Sequence, residues 1–158
     1  MKNYDLYFDK LTRLTVISIL ILGINSTGLA QDKSSAKANK KFIREYIGDL
    51  SGKEKTAEIL DKYIADSDKI FKEHILQTEA SFPNYELIIE DMLAEGDKVA
   101  VRAVFKGVNR GPVGDAPATN KKVESPFIII YQVLDGKIIN HWMASDNLSF
   151  MKQLGMMQ

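Results

Sequence analysis

The chain has 158 residues, and its 21 basic and 21 acidic side chains balance, so it has no basic excess with which to hold a polyanion and no nucleic-acid partner is expected. It contains no cysteine, which excludes disulfides, thiolate nucleophiles and cysteine-based metal sites. Its two histidines, His74 and His141, are not at metal-ligand spacing, and neither a metal nor a cofactor is expected.

The first segment, MKNYDLYFDKLTR, leads into the uncharged apolar run LTVISILILGI and then NSTGLA. The run is short for a membrane span, and Gly28 and Ala30 fit the small-residue spacing of a secretory cleavage site. Residues 1–30 are therefore expected to be a signal peptide. The protein is then exported, to a bacterial periplasm or the medium, with no membrane attachment after cleavage. Residues 31–158 are expected to form one domain, being too few for two.

Phe42, Ile43, Tyr46, Ile47 and Leu50 recur at helical spacing and predict an amphipathic helix over about 36–50. Ser51 and Glu54 have the form of a capping box, opening a second helix with Ile59, Leu60, Tyr63 and Ile64 on one side. Asp66-Ser67 breaks it. Ile70, Phe71, His74, Ile75 and Thr78 mark a third helix, ending before Phe82-Pro83-Asn84. The period then becomes two. Tyr85, Leu87 and Ile89 share one face of a strand, and Val99, Val101, Ala103 and Phe105 share one face of the next, with Glu95-Gly96-Asp97 turning between them. Gly107 to Asn120 reads as a loop. SPFIIIYQVL, residues 125–134, is apolar on both faces, which predicts a strand covered on its outer side by a second copy of the protein. Asp135-Gly136 is a hairpin signal, Lys137 to about Ser145 the returning strand, and Asp146 or Asn147 the cap of a final helix that Gly155 stops. Three helices followed by an antiparallel sheet make an α+β fold.

Strict alternation along 137–145 places Ile138, Asn140, Trp142, Ala144 and Asp146 on the inner face and His141 on the outer one. The same count sends Asn109 to the end of the row that carries Phe105. An inner face bearing Trp142 and Asp146 reads as one wall of an apolar pocket, to which Phe71, Phe105 and Tyr63 are also assigned. Asp146, Asn109 and His74 are its candidate catalytic groups. A carboxyl group beside an indole and away from water is held more protonated than usual, and with a hydrogen-bond donor nearby it can move a proton next to a carbonyl. Each group also has a plainer role: Asp146 as a helix cap, Asn109 as a turn residue, His74 and Trp142 as core. A His141–Asp146 pair requires a bulge in the strand.

FPNYELIIEDMLAEGDKVAVRAVFKG, the Gly-rich loop and FIIIYQVLDGKIINHWMASDNLSFMKQLG resemble the SnoaL-like polyketide cyclase family, often labelled ester cyclases, of the nuclear transport factor 2-like superfamily. The resemblance runs from about Asn39 to Gly155. It rests on F-P-N-Y, E-G-D-K-V-A-V-R, D-G-K-I, H-W-x-x-x-D and Q-L-G. It implies a cone-shaped, curved antiparallel sheet with three N-terminal helices packed on its concave face, a deep apolar cavity and dimerisation through the sheet. It also implies that Asp146 stands where such cyclases carry the acid/base of a cofactor-free ring closure. The loop departs from the pattern, because Asn109 stands where His is usual and cannot take a proton at neutral pH. Two functions follow: a cofactor-independent cyclase or isomerase acting on a small apolar carbonyl compound, and a non-catalytic binding or interaction module of the same fold.

Overall fold

The computed structural model describes residues 35–157, and the expected signal peptide lies outside them. Helix α1 occupies residues 35–50. Ile43, Tyr46, Ile47 and Leu50 repeat at three and four residues, so one stripe of the helix is buried. Each such aliphatic side chain contributes about 1.5–3 kcal/mol by leaving water.

Helix α2, Ala57–Tyr63, begins later than the expected capping box places it. Its N-cap is Thr56, whose side chain accepts from the Ile59 amide at 3.3 Å. Ser51 instead clips the end of α1 to the sheet, donating to the Leu87 carbonyl at 3.1 Å and accepting from the Leu87 amide at 2.8 Å. A 3-10 turn, Asp66–Asp68, leads into α3, Lys69–Ser81. Phe71 and Ile75 form the buried stripe of α3, while Ile70, expected on that stripe, is 72% exposed. One residue is a turn of about 100°, which carries Ile70 off the narrow stripe that Phe71 and Ile75 define.

Four strands follow: β1 (Glu86–Glu95), β2 (Lys98–Val108), β3 (Lys122–Leu134) and β4 (Lys137–Ser145). They pair antiparallel in the order β1-β2-β3-β4. Asp135 and Gly136 both have positive φ, 49° and 69°, as a tight hairpin between β3 and β4 demands. The inner face carries Val99, Val101, Ala103 and Phe105 of β2 and Val123, Ser125, Phe127, Ile129, Tyr131 and Val133 of β3. The helices α1 to α3 pack on this concave face of the curved sheet, making the expected α+β arrangement. A last helix, α4 (Asn147–Leu154), covers a second, smaller core of Phe82, Tyr85, Phe105, Val123 and Leu154.

The β3–β4 register holds one extra residue. Val133 pairs with Ile138 and Gln132 with Asn140, so Ile139 has no partner. Beyond this bulge the alternation is inverted, and His141, Met143 and Ser145 stand opposite the inner residues Tyr131, Ile129 and Phe127.

Candidate functional site

A cavity of about 350 Å³ opens between α3, α4 and the far half of the concave face. Its walls are aromatic, with Phe71, Phe82, Phe105, Phe127 and Phe150 among them. Tyr46 of α1, Tyr85 at the approach to β1 and Tyr131 of β3 also line it, and all three are buried. The Tyr46 and Tyr131 rings meet edge to face at 5.8 Å, and the Tyr85 ring lies 5.0 Å from Phe105. Burial raises all three phenols above their ordinary value, reinforced by Tyr131 for Tyr46, by Tyr85 for Tyr131 and by Glu79 for Tyr85. They therefore stay protonated and act as neutral donors. Their hydroxyls face the cavity and have no hydrogen-bond partner among the described residues. The Ser125 hydroxyl shares this condition: it is 5% exposed, lines the cavity opposite Phe105 and is likewise unpartnered.

Tyr85 is held from behind by Lys55. The Lys55 ammonium is buried, sits 3.7 Å over the Tyr85 ring, and donates to the Tyr85 and Lys53 carbonyls at 2.7 Å each. Glu79 Oε2 lies 3.2 Å from it but makes no well-aligned hydrogen bond, so that contact is one of charge. Burial lowers the lysine's proton affinity and Glu79 partly restores it.

His74 stands on the cavity wall one turn beyond Phe71. Although part of its surface is open at the mouth, desolvation, and secondarily the charge of His141, push its pKa below the usual 6.5. At neutral pH it is an uncharged imidazole able to accept a proton. Among the described residues no Asp, Glu, Lys or Arg lines the cavity.

Of the residues expected in the pocket, His74, Phe71 and Phe105 line it. The others do not. Trp142 faces outward beside Ile130 and is 47% exposed, because the bulge at Ile139 reverses the alternation on which its inward placement rests. Asp146 is exposed and caps α4, accepting from the Ser149 amide at 2.9 Å. Asn109 is fully buried, and its amide is consumed by the protein. Its Nδ2 donates to the Ser81 and Gly111 carbonyls at 3.2 and 2.7 Å, and its Oδ1 accepts from the Thr119 amide and hydroxyl at 2.7 and 3.1 Å. It fastens the 109–120 loop to the end of α3, where a Cβ on Gly111 would lie 2.2 Å from the Ala80 carbonyl oxygen. Tyr63 packs between the Phe42 and Tyr46 rings and donates to Asp49 between α1 and α2.

Tyr46, Tyr85, Ser125 and Asp68 escape the sequence reading. Tyr46 and Tyr85 sit in stretches whose periodicity marks them only as apolar. Asp68, the residue before α3, meets His141 Nδ1 through its Oδ2 at 2.7 Å, and the His141 ring stacks on Phe71 at 4.1 Å. The bulge condition noted for a His–Asp pair is thus met, with a different aspartate. Among the described residues no group of three or more His, Asp or Glu side chains is placed to hold a metal ion.

The sequence model of SnoaL-like polyketide cyclase matches residues 54–154. No curated protein matches the chain. Among solved structures, a candidate SnoaL-like polyketide cyclase from Jannaschia sp. CCS1 superposes with TM-score 0.68 at 18% identity, covering 78% of this chain and 95% of that one. A candidate polyketide cyclase from Acidithiobacillus ferrooxidans gives 0.64 at 21% identity, covering 75% and 94%. IdmH, a candidate polyketide cyclase from Streptomyces antibioticus, gives 0.57 at 26% identity, covering 76% and 98%.

Proposed function

The chain belongs to the SnoaL-like polyketide cyclase family, and from that premise we propose that its cavity binds a small, neutral carbonyl compound and moves a proton on it without a cofactor. The observation that carries this reading is a set of four hydroxyls, on Tyr46, Tyr85, Tyr131 and Ser125, that line one aromatic cavity and have no partner among the described residues, with a neutral imidazole on its wall. A hydroxyl that meets an acceptor in such a hollow gains about 0.5–1.5 kcal/mol. Several such donors in one hollow are best accounted for by a guest that brings acceptor oxygens. The absence of charged groups from the lining favours a neutral guest, because a buried unpaired charge is far more expensive.

In this reading His74 takes a proton from the carbon beside a carbonyl, and a tyrosine hydroxyl donates to the oxygen on which negative charge develops. Phe71 and Phe105 hold the carbon skeleton. Hydrogen–deuterium exchange at the α-carbon of ethyl acetoacetate and related 1,3-dicarbonyl compounds, followed by NMR, tests it. His74→Gln is expected to slow protein-catalysed exchange by about 10²-fold or more while the compounds still bind. Binding without catalysed exchange in either protein favours the second reading, a carrier of the same fold. That alternative draws support from the absence of any carboxylate in the lining.

The proposal extends to assembly and location. A second copy is taken to cover the outer sheet face, where Ile88, Ile128 and Trp142 are 40%, 51% and 47% exposed. Residues 1–30 are taken as an export signal on the strength of the apolar run and the Gly28/Ala30 spacing.

A further inference from the structure

We propose that Asp68 and His141 form a positioning pair for His74, an inference that rests on reading His74 as the base. Asp68 occupies the N-cap position of α3, yet its side chain makes no capping bond. An aspartate there ordinarily accepts from a first-turn amide of the helix. Asp68 is instead turned to His141 Nδ1 at 2.7 Å, with both side chains largely buried. His141 reaches it only because the Ile139 bulge swings that part of β4 inward. The Ser67 hydroxyl donates to the Ile139 carbonyl at 3.1 Å and ties the 3-10 turn to the bulge. Two irregularities, a cap left unmade and an extra strand residue, thus converge on one contact.

The contact has two consequences for the cavity. The His141 ring lies flat against Phe71, with planes 26° apart, and the other side of the cavity wall is Tyr131, whose ring is 6.0 Å from Phe71. Phe71 and His74 are three residues apart on α3, neighbours on one helical face. Fixing His141 therefore fixes the turn of helix that carries the base. The carboxylate also selects the tautomer, with Nδ1–H donated to Asp68 and Nε2 left as acceptor. Charge on His141 also opposes a proton on His74. The downward displacement of His74, due first to burial and then to His141, agrees with this. Tyr46 of α1, Tyr131 of β3 and Met143 of β4 share the cavity with His74, and Glu73 and Gln77 adjoin it on its own helix. Of these only Glu73 carries a charge at neutral pH, and it is exposed.

With only two histidines, both rings can be followed by NMR in the intact protein, His74→Gln supplying the assignment. His141→Gln is expected to move the His74 titration upward, and to carry the acidic limb of the α-proton exchange profile upward with it. Asp68→Asn is expected to replace the Nδ1–H signature in the His141 ¹⁵N shifts by a tautomer mixture, and Asp68→Glu to restore it in part. An unmoved His74 titration in folded His141→Gln protein overturns the proposal. If that variant does not fold, an unchanged His141 tautomer in Asp68→Asn overturns it instead. Should exchange prove independent of His74 while its titration still follows His141, the pair stands and the assignment of His74 as base falls.

Discussion

Asp146 and His74 exchange weight once their surroundings are known. Asp146 accepts one amide hydrogen bond at the start of α4 and does not line the aromatic cavity. Asp146→Asn is therefore expected to be nearly silent in stability, because Asn caps as well as Asp, whereas Asp146→Ala loses about 1 kcal/mol. Chemical denaturation measures both, and ligand affinity is expected to be unchanged in each. His74 behaves differently because its folded-state pKa lies below that of the unfolded chain. As pH falls, the unfolded state takes up this proton first. The contribution of the neutral ring is fully present above about pH 6.5 and is lost as pH falls through that value toward the lower folded one. His74→Gln lacks this dependence, so its denaturation midpoint declines less than that of the wild type between neutral and mildly acidic pH. Parallel declines would mean that the imidazole is as well hydrated in the fold as in the open chain.

At the scale of elements, helices and strands were legible and the phase of one strand was not. The stripe from Ile43 to Leu50 and the row from Val99 to Phe105 each have a single period that only one face satisfies. In β4, Ile138 and Ile139 are both apolar, and either fits an inner row. Nothing in a period-two pattern marks which residue is extra. Every site assignment beyond Ile139 inherits that ambiguity, so Trp142 and His141 trade faces. Asn109 was missed for another reason. Its polarity was visible, but the four partners that consume its amide come from Ser81, Gly111 and Thr119, positions that only tertiary contact brings together. The bulge itself can be tested. Deleting Ile139 leaves Ile138 and Asn140 as consecutive partners of Val133 and Gln132, a regular ladder with His141 still facing inward. The expected loss is about 1 kcal/mol, for the bond from Ser67 to the removed carbonyl. The His141–Asp68 contact should survive in the NMR spectrum. A loss of several kcal/mol would mean instead that β4 alternates simply from Ile138 and that the deletion reverses its faces.

For the whole molecule, the cavity exists because two cores meet without merging. One lies under α1 to α3, the other under α4, and aromatic side chains of both line the hollow between them. The opposite face of the same sheet has no such cover among the described residues. One outer row crosses all four strands as Leu93, Ala100, Ile130 and Trp142, and beside it run Asp91, Arg102, Ile128 and Ala144. Arg102 pairs with Glu90 at this face, which supplies a polar boundary to the apolar row. Such a patch, apolar at the centre and charged at one side, matches the composition of an interface rather than of a solvated sheet. In the proposed dimer, Ile128→Glu places a carboxylate in that centre, where a partner would bury it unpaired at a cost of several kcal/mol. In the monomer the same carboxylate stays in water and costs little. The variant is therefore expected to run as a monomer in light scattering while its circular dichroism and thermal midpoint as a monomer stay close to those of diluted wild type. If the wild type is itself monomeric at every concentration, or if Ile128→Glu leaves the dimer intact, the second copy does not dock on this face.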